Sequence, residues 1–464
     1  MHVRELQWIE PVKALRCLAQ RPQLTFLDSA AEHELLGRYS FLACEPFGSY
    51  LVADGQASWN GESLPGDPWT VLRNLLARYQ QAHCPDFPPF QGGAAGFLGY
   101  DLNRTLERLP QPSSPGFGLP QSILSFYDVV VSFDHRDHRC WIVSTGWPEQ
   151  DPARQAERAR RRADEFAALL ATPKAPRIII PSMAGPWDSN FSREGFMAAV
   201  QRVIELILAG ELFQANIAQC FSAKVSPLFD PLTFYCQLRS SNPAPFAALL
   251  RYDKLTIASS SPERFLKIDG RQVETRPIKG TIARSADSDE DRRRAEILVA
   301  SEKDRAENIM IVDLLRNDLS RVCTDNSVEV TTLCNLESYA SVHHLVSIVR
   351  GALAADQDAV SLLRACFPGG SVTGAPKVRA MEIIADIERV AREAYCGAIG
   401  FIGFNGQMDT NIAIRTVTID DDQARFHAGG GITAMSDPEA EYAETLAKAQ
   451  RLFEAFGDEL PGAF

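Results

Sequence analysis

KDRAENIMIVDLLRNDL, residues 303–319, sets acidic and apolar side chains at helical spacing. The surrounding pattern predicts one long helix from about Asp289 to Arg321. At ~100° per residue, Asp304 and Glu307 diverge by only ~60° and share a face, whereas Glu302 and Glu307 diverge by ~140°. SDPEAEYAET, residues 436–445, repeats the device with Glu441 and Glu444, on a helix that Pro438 is placed to open and that ends near Phe456. Like charges three apart repel. A hard divalent cation bound through oxygen would offset that repulsion, and Mg²⁺ typically takes a few carboxylates, waters and a substrate oxygen. A solvated acidic face is the ordinary reading of either pair alone. Two pairs, each beside an apolar stretch, keep the cation reading open.

Outward from these pairs lie segments with chemistry of their own. In SSSPERF (259–265) Glu263 ends an apparent strand, where a carboxyl can serve as general acid or base. In TRPIKGTIAR (275–284) Lys279 stands between Ile278 and Gly280, and a desolvated lysine can act as a nucleophile. The bland alternative is a surface lysine with a buried stem. FPGGSVTGAPK (367–377) is a glycine-rich turn leading into a helix, able to offer N–H groups to an anion, without the spacing of a P-loop. AGGGI (428–432) would let a ligand approach backbone amides or be a plain turn. Arg415 closes the apolar run NIAIR, and His344 sits in YASVHHLVS, where a lone histidine is ordinarily structural.

The 464 residues suggest about three domains or one large unit with insertions. An apolar fraction of 45% supports a sizeable core and excludes wholesale disorder. The net charge of −12 argues against nucleic acid or an acidic membrane as partner, so a site for an anion would have to be locally positive. Ten cysteines without a C-x-x-C pair read as reduced thiols of a cytoplasmic protein. No signal peptide or membrane span is expected.

Residues 1–148 read as β-rich, with ILSFYDVVVSF (123–133) and CWIVS (140–144) forming a hairpin. A helix is expected at 152–171, a proline-rich connector at 172–190, and a helix from Arg193 to about Ala209 capped by Ser192 and stopped by Gly210. Further helices are expected at 358–366 and 376–393, and strands at 396–404, 411–419 and 424–428. GGAAGFLGYD (92–101) echoes GAIGFIGFNG (397–406), which suggests two facing sheets, each giving one glycine-rich strand to a close approach.

SPERF, RPIKGT, KDRAENIMIVDLLRNDL, VHHLVS, FPGGSVTGAPK, GFIGFNGQMDTNIAIRT, AGGGI and SDPEAEYAET, in this order, resemble the chorismate-utilising enzymes. The resemblance covers 191–456 as a chorismate-binding catalytic region. It extends over 1–150 as the amino-terminal region of the family's aminating members, with 151–190 a helix and linker between. It implies an α+β fold like anthranilate synthase component I, with two facing antiparallel β-sheets and helices outside.

Carried over residue by residue, the resemblance implies that Asp304, Glu307, Glu441 and Glu444 hold Mg²⁺ on the ring carboxylate of chorismate. Glu263 would be the general acid/base at the departing hydroxyl. His344, Ser371, Tyr395, Arg415, Lys448 and the amides of Gly429, Gly430 and Gly431 would line the substrate pocket. The family's anthranilate synthases usually read P-I-A-G where this chain has Pro277-Ile278-Lys279-Gly280. The lysine form resembles the aminodeoxychorismate synthases. There it implies attack by lysine on C2 with loss of the C4 hydroxyl, then attack by ammonia on C4 to give 4-amino-4-deoxychorismate, on the route to 4-aminobenzoate and folate. Asp304, Asn308 and Gln214, the last a candidate ammonia-side residue, point the same way. A glutamine amidotransferase subunit is implied as ammonia source. FLDS (26–29) and GRYS (37–40) resemble a tryptophan pocket, with Asp28 and Ser29 its candidate residues, although Asp28 stands where glutamate is usual. Anthranilate synthesis and a non-catalytic scaffold for the glutaminase are the alternative readings.

Overall fold

The computed structural model describes residues 1–31, 36–172, 183–339 and 342–458. Two 12-stranded sheets dominate it, and the ladders between their named strands are antiparallel. Residues 1–150 supply five strands to each sheet, so the amino- and carboxyl-terminal parts build the same two sheets together.

The sheets face each other. Phe41 and Val130 of one meet Ala95 and Phe401 of the other, and Leu250 and Ile257 meet Phe97 and Ile399. Helices cover the outer faces: Pro152–Leu170, Pro231–Ser241 and Pro438–Ala455 on the first sheet, Pro68–Ala77, Glu302–Ser320 and Ala359–Cys366 on the second. Each fully buried Phe or Leu in these layers contributes roughly 1.5–3 kcal/mol. Among the described residues no helix is long and apolar enough to cross a membrane. All ten cysteines are free thiols.

Four expectations need correction. The predicted long helix is two, Ser288–Ala300 and Glu302–Ser320, because Ser301 accepts the Asp304 amide (3.2 Å) and caps the second. The run 123–133 is two strands in different sheets, Ser122–Tyr127 and Val129–Asp134, hinged at buried Asp128, which pairs with Arg158 and Arg162. The hairpin with residues 140–144 holds for its second half only. The run 411–419 likewise divides into Met408–Ile412 and Thr416–Asp420, in different sheets. The two glycine-rich strands do not come one from each sheet. Gly93–Leu98 and Ala398–Gly403 are neighbours within one sheet, Gly96 opposite Gly400. The glycines serve close approach within that sheet, since a Cβ at Gly400 would lie 2.1 Å from the Asp409 carbonyl oxygen. Helix Arg193–Leu208 with its Ser192 cap is as expected, as is the last helix, Pro438–Ala455.

Candidate active site

Two antiparallel segments cross from one sheet to the other side by side, and the site grows from that crossing. Leu255–Ser261 passes through Pro262–Glu263 into Arg264–Asp269, and Met408–Ile412 passes through 413–415 into Thr416–Asp420. The Ile412 amide donates to the Glu263 carbonyl (3.0 Å), and the Ser260 amide to that of Arg415 (3.0 Å). The crossing thus holds an acid and a cation on adjacent backbones.

Glu263 is buried, and its Oε1 accepts the Ser371 hydroxyl at 2.7 Å. Burial pushes its carboxyl up to about 7, against the Ser371 hydrogen bond, the Lys279 charge and an Ile278 backbone hydrogen bond. Lys279 lies on the strand Ile278–Ala283, and its Nζ donates to the Ser371 carbonyl at 3.0 Å. Ser371, in the turn Gly370–Val372, therefore touches both groups. Beyond Lys279 the ladder with Val342–Ala352 shifts register around Gly280, whose φ is +77°. A Cβ at Gly280 would lie 3.0 Å from Asp304, so this glycine admits the first acidic helix. Thr281 Oγ1 is 2.7 Å from His344 Nδ1. His344 is lowered to about 3 by burial and the Arg415 charge, against a Gly280 backbone hydrogen bond, and is neutral near pH 7. Arg415 has a φ of +50°, burial lowers its pKa, and among the described residues no carboxylate pairs with it. An unpaired, largely desolvated guanidinium suits a planar carboxylate.

The glycine run is strand interior, not a turn: Gly429, Gly430 and Gly431 oppose Ala218, Ile217 and Asn216. The missing side chains leave room for acids. A Cβ at Gly430 would lie 3.2 Å from Glu441, 3.6 Å from Glu444 and 3.6 Å from Lys448, and one at Gly431 would lie 3.5 Å from Glu307 and 2.0 Å from Gln214. Three of the four predicted acids therefore approach these two glycines, while Asp304 stands over Gly280. Burial raises the Glu307 pKa, helped by the Asp304 and Glu441 charges and opposed by Lys279 and Lys303. Among the described residues no three His, Cys, Asp or Glu side chains stand together as a ready metal site. Lys303 holds Glu441 (3.2 Å), Lys448 holds Glu444 (2.6 Å), and Ser301 donates to Asp304 (2.5 Å). Carboxylate oxygens massed against Glu307 fit a hard divalent cation in kind.

Lys448 also donates to the Gly429 carbonyl (2.9 Å). Tyr395 stacks on His427, with ring centroids 5.0 Å apart. Gln214 keeps a buried amide oxygen without a hydrogen bond. Asp28 and Ser29 lie elsewhere, on a cavity of about 500 Å³ between the sheets that none of the other predicted site residues lines. This cavity is therefore not where the reactive groups meet. Asp28 is already held by Ser40 (3.1 Å), Tyr235 (2.9 Å) and Arg239 (2.6 Å). Sequence reasoning missed Lys303, Thr281 and the buried pair Glu388–Arg392. An arginine inside the apolar VAREAYCGA was the available signal for the last.

Residues 25–454 match the family model for chorismate binding enzymes. The chain is 40% identical to aminodeoxychorismate synthase component 1 of Escherichia coli, over 94% of this chain and 93% of that protein. It is 38% identical to anthranilate synthase component 1 of Streptomyces coelicolor, over 96% and 86%. The crystal structure of anthranilate synthase component I from Streptococcus pneumoniae superposes with a TM-score of 0.79 at 32% identity, covering 90% of this chain and 93% of that one.

Proposed function

We propose that this chain, which belongs to the family of chorismate binding enzymes, aminates chorismate at C4 with ammonia to give 4-amino-4-deoxychorismate. The observation that carries this reading is the Lys279–Ser371–Glu263 contact. It sets an amine and a carboxyl poised near neutrality against one serine.

Lys279, having shed its proton, forms a bond from Nζ to C2 of the ring. Both ring double bonds shift, C1=C2 to C1=C6 and C5=C6 to C4=C5, and the C4 hydroxyl leaves as water with the proton of Glu263. Ammonia then bonds to C4, both double bonds return to C1=C2 and C5=C6, and the C2–Nζ bond breaks to free Lys279. The C4 ammonium so formed gives one proton to ionised Glu263, which restores the acid and leaves the C4 amine. Covalent catalysis thus divides one hard substitution into two. Arg415, with its free guanidinium, takes a substrate carboxylate. Neutral His344, Tyr395, Lys448 and the Gly429–Gly431 strand form the remaining walls, and Gln214 offers its unpaired amide oxygen to the incoming ammonia. Asp304, Glu307, Glu441 and Glu444 would hold Mg²⁺, which neutralises the ring carboxylate. The ammonia source is a glutamine amidotransferase subunit, the setting is the cytoplasm, and the cavity at Asp28 and Ser29 takes tryptophan.

The near-equal identity to the Streptomyces coelicolor anthranilate synthase favours anthranilate as the second reading. Incubation with chorismate, Mg²⁺ and ammonium at alkaline pH separates the two. The expected product is the non-aromatic amino acid that retains the enolpyruvyl group. Anthranilate with release of pyruvate would overturn the proposal.

A further inference from the structure

Arg392 makes no hydrogen bond to the side chains assigned above to the reaction, yet it is the largest fully buried side chain described. It pairs with Glu388 by two hydrogen bonds, Nε to Oε2 at 2.9 Å and Nη2 to Oε1 at 2.6 Å. The rest of its fork is committed to backbone: Nη1 donates to the Val372 carbonyl (2.9 Å) and Nη2 to that of Asn216 (2.7 Å). Glu388 in turn accepts the Ala218 amide at 2.8 Å. Val372 follows Ser371 in the turn, and Asn216 lies opposite Gly431. The guanidinium also lies 4.7 Å from the Tyr100 ring and 5.6 Å from that of Tyr395.

A buried ion pair is weak evidence of stabilisation, because desolvation offsets much of its attraction. What distinguishes this one is where its donors go. A planar guanidinium with four of its five N–H groups engaged fixes two carbonyls relative to each other far more tightly than a point charge could. One of those carbonyls belongs to the residue after Ser371, and Ser371 holds both Glu263 and Lys279. We propose that Arg392 is a positioning residue: by pinning the Gly370–Val372 turn to the strand Gln214–Lys224, it sets the hydrogen bond from Ser371 to Glu263. This rests on Glu263 being the acid/base of the proposed reaction, but its test does not depend on the product.

The groups that face Glu263 are the Ser371 hydroxyl, the Lys279 ammonium, the Ile278 backbone and, electrostatically, the Cys396 thiol. Ser371→Ala removes a bond that favours the ionised carboxyl, so the carboxyl should titrate higher. Arg392→Lys keeps a cation for Glu388 but cannot reach both carbonyls, so it should raise the same midpoint through a looser Ser371. The readout is the infrared band of the protonated carboxyl that Glu263→Gln removes, titrated in the intact chain without substrate. Both variants should raise the midpoint by about half a pH unit or more, and the S371A/R392K double variant should add nothing to S371A.

A midpoint in R392K equal to wild type, additive shifts in the double variant, or no shift in S371A would each overturn the proposal. Should R392K fail to fold by circular dichroism, E388Q/R392Q removes both charges together and is read the same way. Loss of the fold in both, with S371A intact, would make Arg392 structural and overturn the proposal as well. Anthranilate as product would sink the C4 reading while leaving this titration to be judged alone.

Discussion

Replacing Glu263 by Gln should stabilise the protein at neutral pH while removing its acid/base. Burial lifts the Glu263 carboxyl from 4.5 to about 7 in the fold. A group whose native pKa is raised is protonated in the fold and ionised in the unfolded chain between those two values. The unfolded state then binds fewer protons, so stability falls as pH rises from about 4.5 to about 7 and is flat above. At 1.36 kcal/mol per unit, the 2.5-unit span amounts to about 3 kcal/mol. Glutamine cannot ionise and still accepts the Ser371 hydroxyl through its amide oxygen, so E263Q escapes that loss. Urea unfolding of both proteins at pH 4.5 and pH 8 is the assay. The E263Q advantage should grow by about 3 kcal/mol between them. In wild type, turnover measured at constant free ammonia should fall about tenfold per pH unit above 7, as the acid is lost. Unfolding curves for the two proteins that stay parallel across this range would refute the claim that a buried, near-neutral carboxyl occupies the crossing.

Lys279→Ala should reduce C4 amination at least about a hundredfold with chorismate affinity little changed, and unchanged amination in a product assay would remove the nucleophile. Arg415→Met should raise KM about 10- to 100-fold, the cost of a charge-assisted bond worth about 1.5–3 kcal/mol, whereas an unchanged KM would show that the guanidinium faces away from substrate. Glu441→Gln should abolish the Mg²⁺ dependence of turnover and leave the melting curve nearly intact; normal Mg²⁺ activation in that variant would refute the cation assignment. Gly400→Ala should destabilise by about 3 kcal/mol or more, as a methyl placed 2.1 Å from the Asp409 carbonyl oxygen must push neighbouring central strands apart. A melting temperature within a degree of wild type would contradict the strand pairing.

Features set by local spacing are legible in the chain: Ser192 and Pro438 mark helix starts, and acids three apart share a face because helical spacing demands it. Features set by distant partners are not. ILSFYDVVVSF reads as one mostly apolar strand, and nothing within it reveals that Asp128 turns the chain into the opposite sheet to meet Arg158 and Arg162. Ser301 is hidden for a different reason. Its cap splits a pattern whose helical period continues on both sides. The two glycine-rich motifs are recognisable as related, but whether they face or flank each other is a matter of sheet order, which periodicity does not encode. Lys279 and Glu263 stand out by residue type and neighbours and Ser371 by the resemblance, while the contact of that serine with both groups and the arginine behind it emerge only from the folded turn.

The charges at the site also give the acidic chain a way to take a dianion. Lys279, Lys303, Lys448 and Arg415 stand against Asp304, Glu307, Glu441 and Glu444, and His344 is neutral, so with Glu263 in its protonated form the pocket is balanced before anything enters. Chorismate brings two carboxylates. The proposed chemistry removes one more positive charge, since Lys279 must be an amine to attack. Without a countercharge, that step would gather negative charge in a desolvated space, where the penalty is several kcal/mol per unpaired ion. A divalent cation held by the two acidic helices would supply the missing charge beside the ring carboxylate, and on the proposed function that would account for the carboxylates at a site for an anion. On this reading the acids that make the chain look unsuited to its substrate are what admit it.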